Sequence, residues 1–311
     1  MTTNVSWMPP RRLVWIVAGI ALAILAYGLW WRHAAGLLQE TLIAFRSASV
    51  EQGVKANWDG MTVSGFPFRL RAKLENPSYE NKLGRMSWQA KGLTVETLPW
   101  SLSQISFMAH GPQTIDLGPQ LAVAGEAKES GVSLLFDGNG LPKQLDVAAK
   151  YADAELRGQD GQPIRIKGDV LAAHWRIDPE DGNAGDGRDY DAAVNGTAIV
   201  LSGVELPFGP NVQDFRLQVS LRGVPALQGV DGAMDLASWR ALGAPLTIRN
   251  LTFVSGGVDV RGVGDLALGS DGTLQGQLNL TLGGFDKIVA ALSAAGAIPA
   301  EAKSTLFITS T

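Results

Sequence analysis

Cysteine is absent from this chain of 311 residues, and charged residues make up only 18% of it. Without cysteine there can be no disulfide bond, no thiol nucleophile and no thiolate-bound metal ion. The formal net charge is −4, and the chain shows no basic stripe. Nucleic-acid binding depends on such a stripe to neutralise phosphates, so we expect no nucleic-acid partner.

Motifs for catalysis and metal binding are also scarce. The chain has no Gly-x-Ser-x-Gly nucleophile motif, and its three histidines, His33, His110 and His174, lack the spacing of a zinc site. We interpret His174 as an ordinary residue on the polar face of a strand, in preference to a pH-sensitive or ligand-binding group. We therefore expect a protein that is not an enzyme and holds no metal ion or cofactor.

Two short patterns resemble ligand sites, but each lacks a feature that the site requires. The acidic, glycine-rich stretch 178–191 supplies carboxylates, yet Ala192 stands where a calcium-binding EF-hand needs its glutamate. We interpret this stretch as a solvated loop, and its residues 178–190 as a candidate boundary between two lobes. Gly262-x-Gly264-x-x-Ala267 mimics a dinucleotide fingerprint, but a strand pattern follows where the fingerprint requires a helix.

One long apolar run stands out against these absences. Residues 13–31 contain no charge and no proline, and as a helix they would cover about 28 Å, close to one hydrocarbon core. Tryptophans at both ends favour the headgroup layers. The predicted anchor consists of Leu13, Trp15, Ile16, Trp30 and Trp31, flanked by Arg11, Arg12 and Arg32.

An uncleaved anchor is the preferred interpretation of this run. A cleaved signal peptide has a shorter apolar stretch and small residues before the cut, and a buried core helix is rarely apolar on all sides. We expect residues 1–12 to form a cytoplasmic tail, because Arg11 and Arg12 precede the span without any acidic residue. The remainder would lie in a bacterial periplasm, attached to the inner membrane by a single pass.

Beyond the anchor the pattern is first helical and then β. Residues 34–52 place Leu38, Leu42, Phe45 and Ser49 at helical spacing, which predicts a membrane-proximal helix whose apolar stripe caps one end of the domain. Residues 54–311 contain many short alternating runs separated by glycine-rich turns. They predict one β-rich domain.

Residues 65–75 form the clearest strand pattern. Phe66, Phe68 and Leu70 alternate with Pro67 and with charged residues, and the pattern continues into Ala72 and Leu74. Period two places all of these on one face, which would be an apolar groove or a packed core. The two cases cannot be separated from the pattern, because both show the same alternation.

The predicted fold is therefore mainly β. It consists of the transmembrane helix, the adjoining helix and a long curved antiparallel sheet arranged as a meander, with short terminal helices. The meander is clearest over residues 244–283, where Gly256-Gly257 and Asp271-Gly272 separate alternating runs. Helical patterns occur at residues 237–242 and 285–296.

A block with the pattern W-x-x-M-x-V-x-GFPFRL runs from Trp58 to Leu70. With the anchor, the adjoining helix and the later meander, it resembles the bacterial family called domain of unknown function 2125, which has no assigned activity. The stretch 258–280 is similar to the final repeats of AsmA-like envelope proteins. That resemblance implies a membrane-anchored β-groove that carries or organises lipids. Unlike the family pattern, the chain ends IPAEAKSTLFITST, which would leave a final strand missing or altered.

Two hypotheses about function follow from these observations. In the first, an anchored periplasmic β-groove contacts lipid, such as a phospholipid, or an envelope-biogenesis partner. In the second, the protein is a scaffolding subunit of an envelope complex, with a closed core and no ligand. In both, the lipid bilayer is a partner of the anchor.

Overall fold

The computed structural model describes residues 10–51, 53–81, 86–118, 121–138, 140–158, 162–178, 187–225, 245–268 and 273–294. These residues form one long helix, α1 (Pro10–Glu51), a large antiparallel sheet of fifteen strands, and a short helix, α2 (Phe285–Ala294). The mainly β fold predicted from the sequence is thereby confirmed.

Helix α1 runs without interruption through both predicted helical segments. No proline occurs between Pro10 and its end at Glu51, and its glycines do not break it. Its most apolar stretch has a mean hydropathy of 2.2 and contains no buried residue. Among the described residues, α1 is the one helix that is both long enough and apolar enough to cross a membrane.

The fifteen strands follow one another closely along the chain. Their bounds are β1 (Val54–Asn57), β2 (Gly60–Ser64), β3 (Leu70–Glu75), β4 (Ser78–Asn81), β5 (Met86–Leu98), β6 (Ser101–Asp116), β7 (Leu121–Glu126), β8 (Glu129–Phe136), β9 (Pro142–Gly158), β10 (Ile164–Ile177), β11 (Gly187–Ser202), β12 (Asn211–Pro225), β13 (Pro245–Ser255), β14 (Val258–Leu268) and β15 (Leu274–Gly283).

The sheet is a meander in which the strand positions follow one another in the order of the chain. Three positions are shared by two short strands each, because β1 and β2, β3 and β4, and β7 and β8 lie end to end. From β9 to β15 every strand pairs antiparallel with the next. The fifteen strands therefore fill twelve positions in chain order.

The most buried part of the sheet lies against α1. Trp58, Ala72, Leu74 and Val95 form a buried cluster, and Leu38 and Leu42 of α1 are among the half-buried residues that pack on it. Arg46 adds its guanidinium 5.3 Å from the centre of the Trp58 ring. The predicted capping of the domain by the apolar stripe of residues 34–52 is confirmed for Leu38 and Leu42, whereas Phe45 is exposed.

Two local predictions are wrong. Residues 65–69 do not belong to a strand, since β3 begins at Leu70, and the predicted loop 178–191 is too long, since β11 begins at Gly187. The hairpin of β10 and β11 pairs up to Ile177 and Tyr190, and the lobe boundary stays a prediction. The short C-terminal helix is confirmed as α2. The helix predicted near 237–242 and the segment 297–311 lie outside the described residues.

Candidate functional site

A single row of apolar residues crosses the whole sheet. Cross-strand partners share a face, so the registers can be followed from one strand to the next. The row, called here the apolar row, contains Val63, Ala72, Val95, Phe107, Val132, Val147, Ala173, Val194, Leu217, Leu251, Gly262 and Leu280. Each of the twelve strand positions contributes one residue, and none is polar.

The apolar row is buried beside α1 and half-buried or exposed along the rest. Ala72 and Val95, beside α1, are 0% and 4% exposed. Val147 and Val194 in the middle are 39% and 45% exposed, and Leu280 at the far end is 46% exposed. Leu38 and Leu42 of α1 therefore pack on the row at the end beside α1.

The middle of this face contains a shallow apolar depression of about 280 Å³. Side chains of four strands line it, from β9 to β12. They include Val147, Leu171, Val194, Ile199 and Phe215. Depressions lined by apolar groups exclude water from their walls and suit hydrocarbon ligands.

The face stays apolar because β9, β10 and β11 all shift their side-chain alternation by one residue along the same line across the sheet. Tyr151 in β9 and Ala198 in β11 have positive φ angles of 52° and 51°, and the ladder is interrupted beside both of them. A Cβ at Gly168 would lie 3.2 Å from the Leu171 side chain, so these residues share a face across a step of three. Strict period-two alternation would have moved the apolar side chains to the opposite face at this line.

The opposite face of the sheet is charged and paired. Ion pairs across it include Lys150–Glu129 at 2.7 Å, Arg165–Asp153 at 2.6 Å and Arg176–Asp191 at 3.1 Å. Hydrogen bonds from Arg165 lower the pKa of Asp153 to about 2. The sheet is therefore amphipathic, with one apolar face and one hydrophilic face.

A second apolar feature is the aromatic loop, defined here as residues 65–69 between β2 and β3. Phe66 and Phe68 are 53% and 68% exposed, whereas Leu70 is 1% exposed. The predicted common face of these three residues is therefore wrong. Gly65 has φ of 111°, and Pro67 cannot donate a ladder hydrogen bond, so the strand cannot extend through the loop.

The aromatic loop is held against α1 by two side chains. The Tyr27 hydroxyl donates to the Pro67 carbonyl at 2.5 Å, and the Trp31 indole donates to the Arg69 carbonyl at 3.1 Å. The Phe66 ring meets the Trp31 ring edge to face, with centroids 5.5 Å apart. Tyr27 was not among the predicted site residues, although it carries the only hydroxyl group in the run 13–31.

Charged residues follow directly after the loop. Arg69 and Arg71 both contact Glu96, with Arg71 Nη2 2.6 Å from Glu96 Oε2. Burial raises the pKa of Glu96, but the hydrogen bonds from the two guanidinium groups outweigh it and leave the pKa below its ordinary value. This carboxylate therefore stays ionised and holds both arginines beside the loop.

Most other residues of the predicted anchor point outwards. Leu13, Trp15, Ile16 and Trp30 are 55%, 77%, 47% and 42% exposed. Trp31 is half-buried because it contacts the loop, and Arg32 is exposed. Arg11 and Arg12 lie in the first turn of α1, with their side chains outside the described part.

The residues that the sequence offers as candidates for catalysis or metal binding do not come together in one site. His174 is an exposed strand residue whose Nδ1 lies 2.8 Å from Asp146 Oδ1. Arg222 bonds both Asp178 and Asp189 at the ends of the acidic stretch. The described residues contain no group of three or more side chains that could hold a metal ion.

The glycines of the apparent dinucleotide fingerprint have a packing role. Gly262 and Gly264 lie in the middle of β14, and β15 follows in place of a helix. A Cβ at Gly262 would lie 2.6 Å from the Leu280 side chain, and one at Gly264 would lie 2.2 Å from the Gln277 carbonyl. These glycines therefore allow β14 and β15 to approach closely.

Comparison with known proteins supports the family resemblance that the block around the aromatic loop suggests. A bacterial family described as an uncharacterised protein conserved in bacteria, DUF2125, matches residues 31–309. The chain belongs to this family. No curated protein and no solved structure matches it. The match begins at Trp31, the α1 residue that holds the aromatic loop, and includes the whole sheet.

Proposed function

We propose that this protein is a non-catalytic, membrane-anchored protein whose apolar sheet face contacts phospholipid acyl chains in the bacterial periplasm. One observation carries the proposal. The apolar row starts in the cluster covered by α1 and continues, uninterrupted by a polar side chain, to the last strand of the sheet. A face of this kind connects the bilayer end of the molecule with its far edge.

The energetics favour an apolar ligand on this face. Each buried methylene group contributes about 0.8 kcal/mol, so an acyl chain lying along several strands gains several times that amount. Soluble proteins rarely expose contiguous apolar patches larger than a few hundred Å². Val147, Val194 and Leu280 remain exposed on one face, and the paired charges lie on the other.

The membrane side of the proposal rests on α1. Arg11 and Arg12 precede the apolar span without acidic neighbours, which favours a cytoplasmic N-terminus. Under this orientation the sheet is periplasmic and α1 is an inner-membrane anchor. A reporter enzyme active only in the cytoplasm, fused after Thr311, should give no signal. Activity of that fusion would overturn the orientation.

Photocrosslinking in living cells tests the lipid contact. A photoreactive amino acid is placed at Val194 or Leu280 on the apolar face. The matched controls lie on the opposite face of the sheet. Val200, 36% exposed, is in the same strand as Val194, and Val263, 50% exposed, is in β14, the strand next to that of Leu280. We expect phospholipid adducts, identified by mass spectrometry, at the first two positions alone.

The alternative function gives a different pattern in the same experiment. A scaffolding subunit with no ligand would give one dominant protein adduct from the apolar face and no lipid adduct. Equal lipid labelling from both faces would show random contact with membranes. Either pattern would overturn the lipid-contacting groove.

A further inference from the structure

The aromatic loop exposes its two phenylalanines at the side of the helix that would cross the membrane. Phe66 and Phe68 are more than half exposed, although the neighbouring residue of the hairpin, Leu70, is fully buried. Both rings are large, and their exposure to water is unfavourable. The loop therefore needs an apolar surrounding that the rest of the described chain does not supply.

We propose that the aromatic loop inserts into the interfacial layer of the same bilayer that α1 spans, as a second membrane contact. The inference rests on the proposed role of α1 as an anchor, and it adds a contact made by the sheet itself. The occupant of the surface is the boundary between lipid headgroups and acyl chains.

The depth of the loop along α1 agrees with this assignment. Tyr27 and Trp31 hold the loop, and they lie in the last helical turn of the uncharged run, just before Arg32. Between α1 and Phe66 there is an apolar crevice of about 420 Å³, lined mainly by Ile24, Leu25, Gly28 and Leu29. The loop thus lies beside residues at the end of the hydrocarbon-spanning segment.

Several backbone polar groups of the loop have hydrogen-bond partners, which suits a low-dielectric layer. Irregular backbone at membrane depth is tolerated only where its carbonyl and amide groups have partners. The Gly65 carbonyl accepts from the Arg69 amide at 2.9 Å, and the Pro67 and Arg69 carbonyls accept from Tyr27 and Trp31. Pro67 has no amide hydrogen to satisfy.

The charges beside the loop match the headgroup layer. Arg69 follows the two phenylalanines directly, and its guanidinium is paired with Glu96 together with Arg71. Arg32 is exposed one residue after Trp31. Arginine and tryptophan at the edge of an apolar segment are typical of the interface between hydrocarbon and water.

A second contact has a geometric consequence for the sheet. A single helix leaves the attached domain free to rotate about the helix axis, whereas a helix and a loop together define one orientation. Leu70 and Ala72 follow the loop in β3, and Ala72 belongs to the apolar row. The membrane-inserted loop therefore places the start of the apolar row next to the lipid.

Single-cysteine labelling of the full chain tests the insertion, because the native chain has no cysteine. The variants are Phe68→Cys in the loop, Leu25→Cys in α1 as the membrane reference, and Val263→Cys in the sheet as the water reference. Each is labelled with an environment-sensitive fluorophore and reconstituted into phosphatidylethanolamine–phosphatidylglycerol vesicles. Quenching is measured with nitroxide-labelled lipids and with aqueous iodide.

The expected result is that the Phe68 label is quenched by shallow nitroxide lipids at least several-fold more than the Val263 label, and is protected from iodide. If Phe68 behaves like Val263 while Leu25 remains lipid-quenched, the insertion is wrong and the anchor stands. If the Leu25 label is also reached by iodide and not by lipid nitroxides, the anchor and the insertion are both wrong.

Discussion

At the scale of single residues, Gly65 decides where the strand stops and the aromatic loop begins. Its φ of 111° lies in a region that L-residues rarely adopt. An added Cβ would lie 2.6 Å from the Arg69 carbonyl oxygen, a backbone atom that cannot move aside cheaply. The loop therefore depends on glycine at this one position.

Replacement of this glycine should be costly. Gly65→Ala is expected to lower the free energy of unfolding by about 1–3 kcal/mol, because it combines backbone strain with a steric clash. Chemical denaturation of the detergent-solubilised full chain measures the change. Gly138→Ala is the matched control, since a Cβ there meets nothing within 4 Å. Equal losses in the two variants would contradict the proposed role of Gly65.

Glu96 makes the stability of the hairpins beside α1 depend on pH. Its pKa in the folded protein lies below the ordinary value of 4.5, so its contribution is present above that value and disappears as the pH falls through the folded pKa. Glu96→Gln should therefore reduce stability at pH 7 by about 1–2 kcal/mol, and by much less near pH 3.

Thermal unfolding of the two proteins at both pH values checks this difference. Glu129→Gln provides a comparison, because Glu129 is also paired with a cation, Lys150, but that pair is exposed and water screens its charges. The Glu129 variant should lose less stability at pH 7. A pH-independent effect of Glu96→Gln would show that its ion pairs do not determine stability.

At the scale of elements, α1 combines two roles that the sequence suggests for separate segments. Its first half is exposed and apolar on all sides, and its second half packs Leu38 and Leu42 on the buried cluster of the sheet. A continuous helix transmits the position of its apolar first half directly to the sheet. A flexible joint at residues 32 and 33 would separate the two.

The packing of α1 on the sheet can be tested with a pair of leucines. Leu42→Ala should lower the free energy of unfolding by about 1–3 kcal/mol, less than for a fully buried leucine, because Leu42 is half-buried. Leu37→Ala is the control, since Leu37 is 50% exposed on the same helix. Denaturation curves that shift equally for both variants would contradict the packing.

The pattern of residues 34–52 predicts the contact made by Leu38 and Leu42, whereas the pattern of residues 65–75 is misleading. Leu38 and Leu42 lie four residues apart, which places them on one face of a helix. Phe66, Phe68 and Leu70 alternate like a strand, but the alternation does not reveal that Gly65 and Pro67 end the ladder and that α1 holds the loop. Contacts with a distant element decide such cases.

At the scale of the whole molecule, the apolar row depends on registers that no local pattern contains. Val147, Ala173 and Val194 become neighbours only through two strand pairings, β9 with β10 and β10 with β11. The phase change at Tyr151 and Ala198 also breaks the period-two rule within single strands. The sequence thus predicts a meander with one apolar face, but the continuity of that face emerges from the complete sheet.

Removal of residues 1–33 separates delivery from function. The shortened chain keeps Leu38 and Leu42 but loses the contacts of Tyr27 and Trp31 with the aromatic loop. We expect it to retain a β-type circular dichroism spectrum and to fail to complement a deletion of the gene. Full complementation by an exported form would show that the anchor only delivers the domain to its compartment.

The meander also makes the molecule adjustable in length. From β10 to β14 each strand pairs only with its two neighbours, as units do in a repeat protein, so the stability of this region is nearly a sum of nearest-neighbour terms. Neighbouring strands are about 4.8 Å apart, so one hairpin more or less changes the reach of the sheet by roughly 10 Å. Evolution could therefore change the distance over which this surface extends from α1 by inserting or deleting whole hairpins, without redesigning the end beside α1.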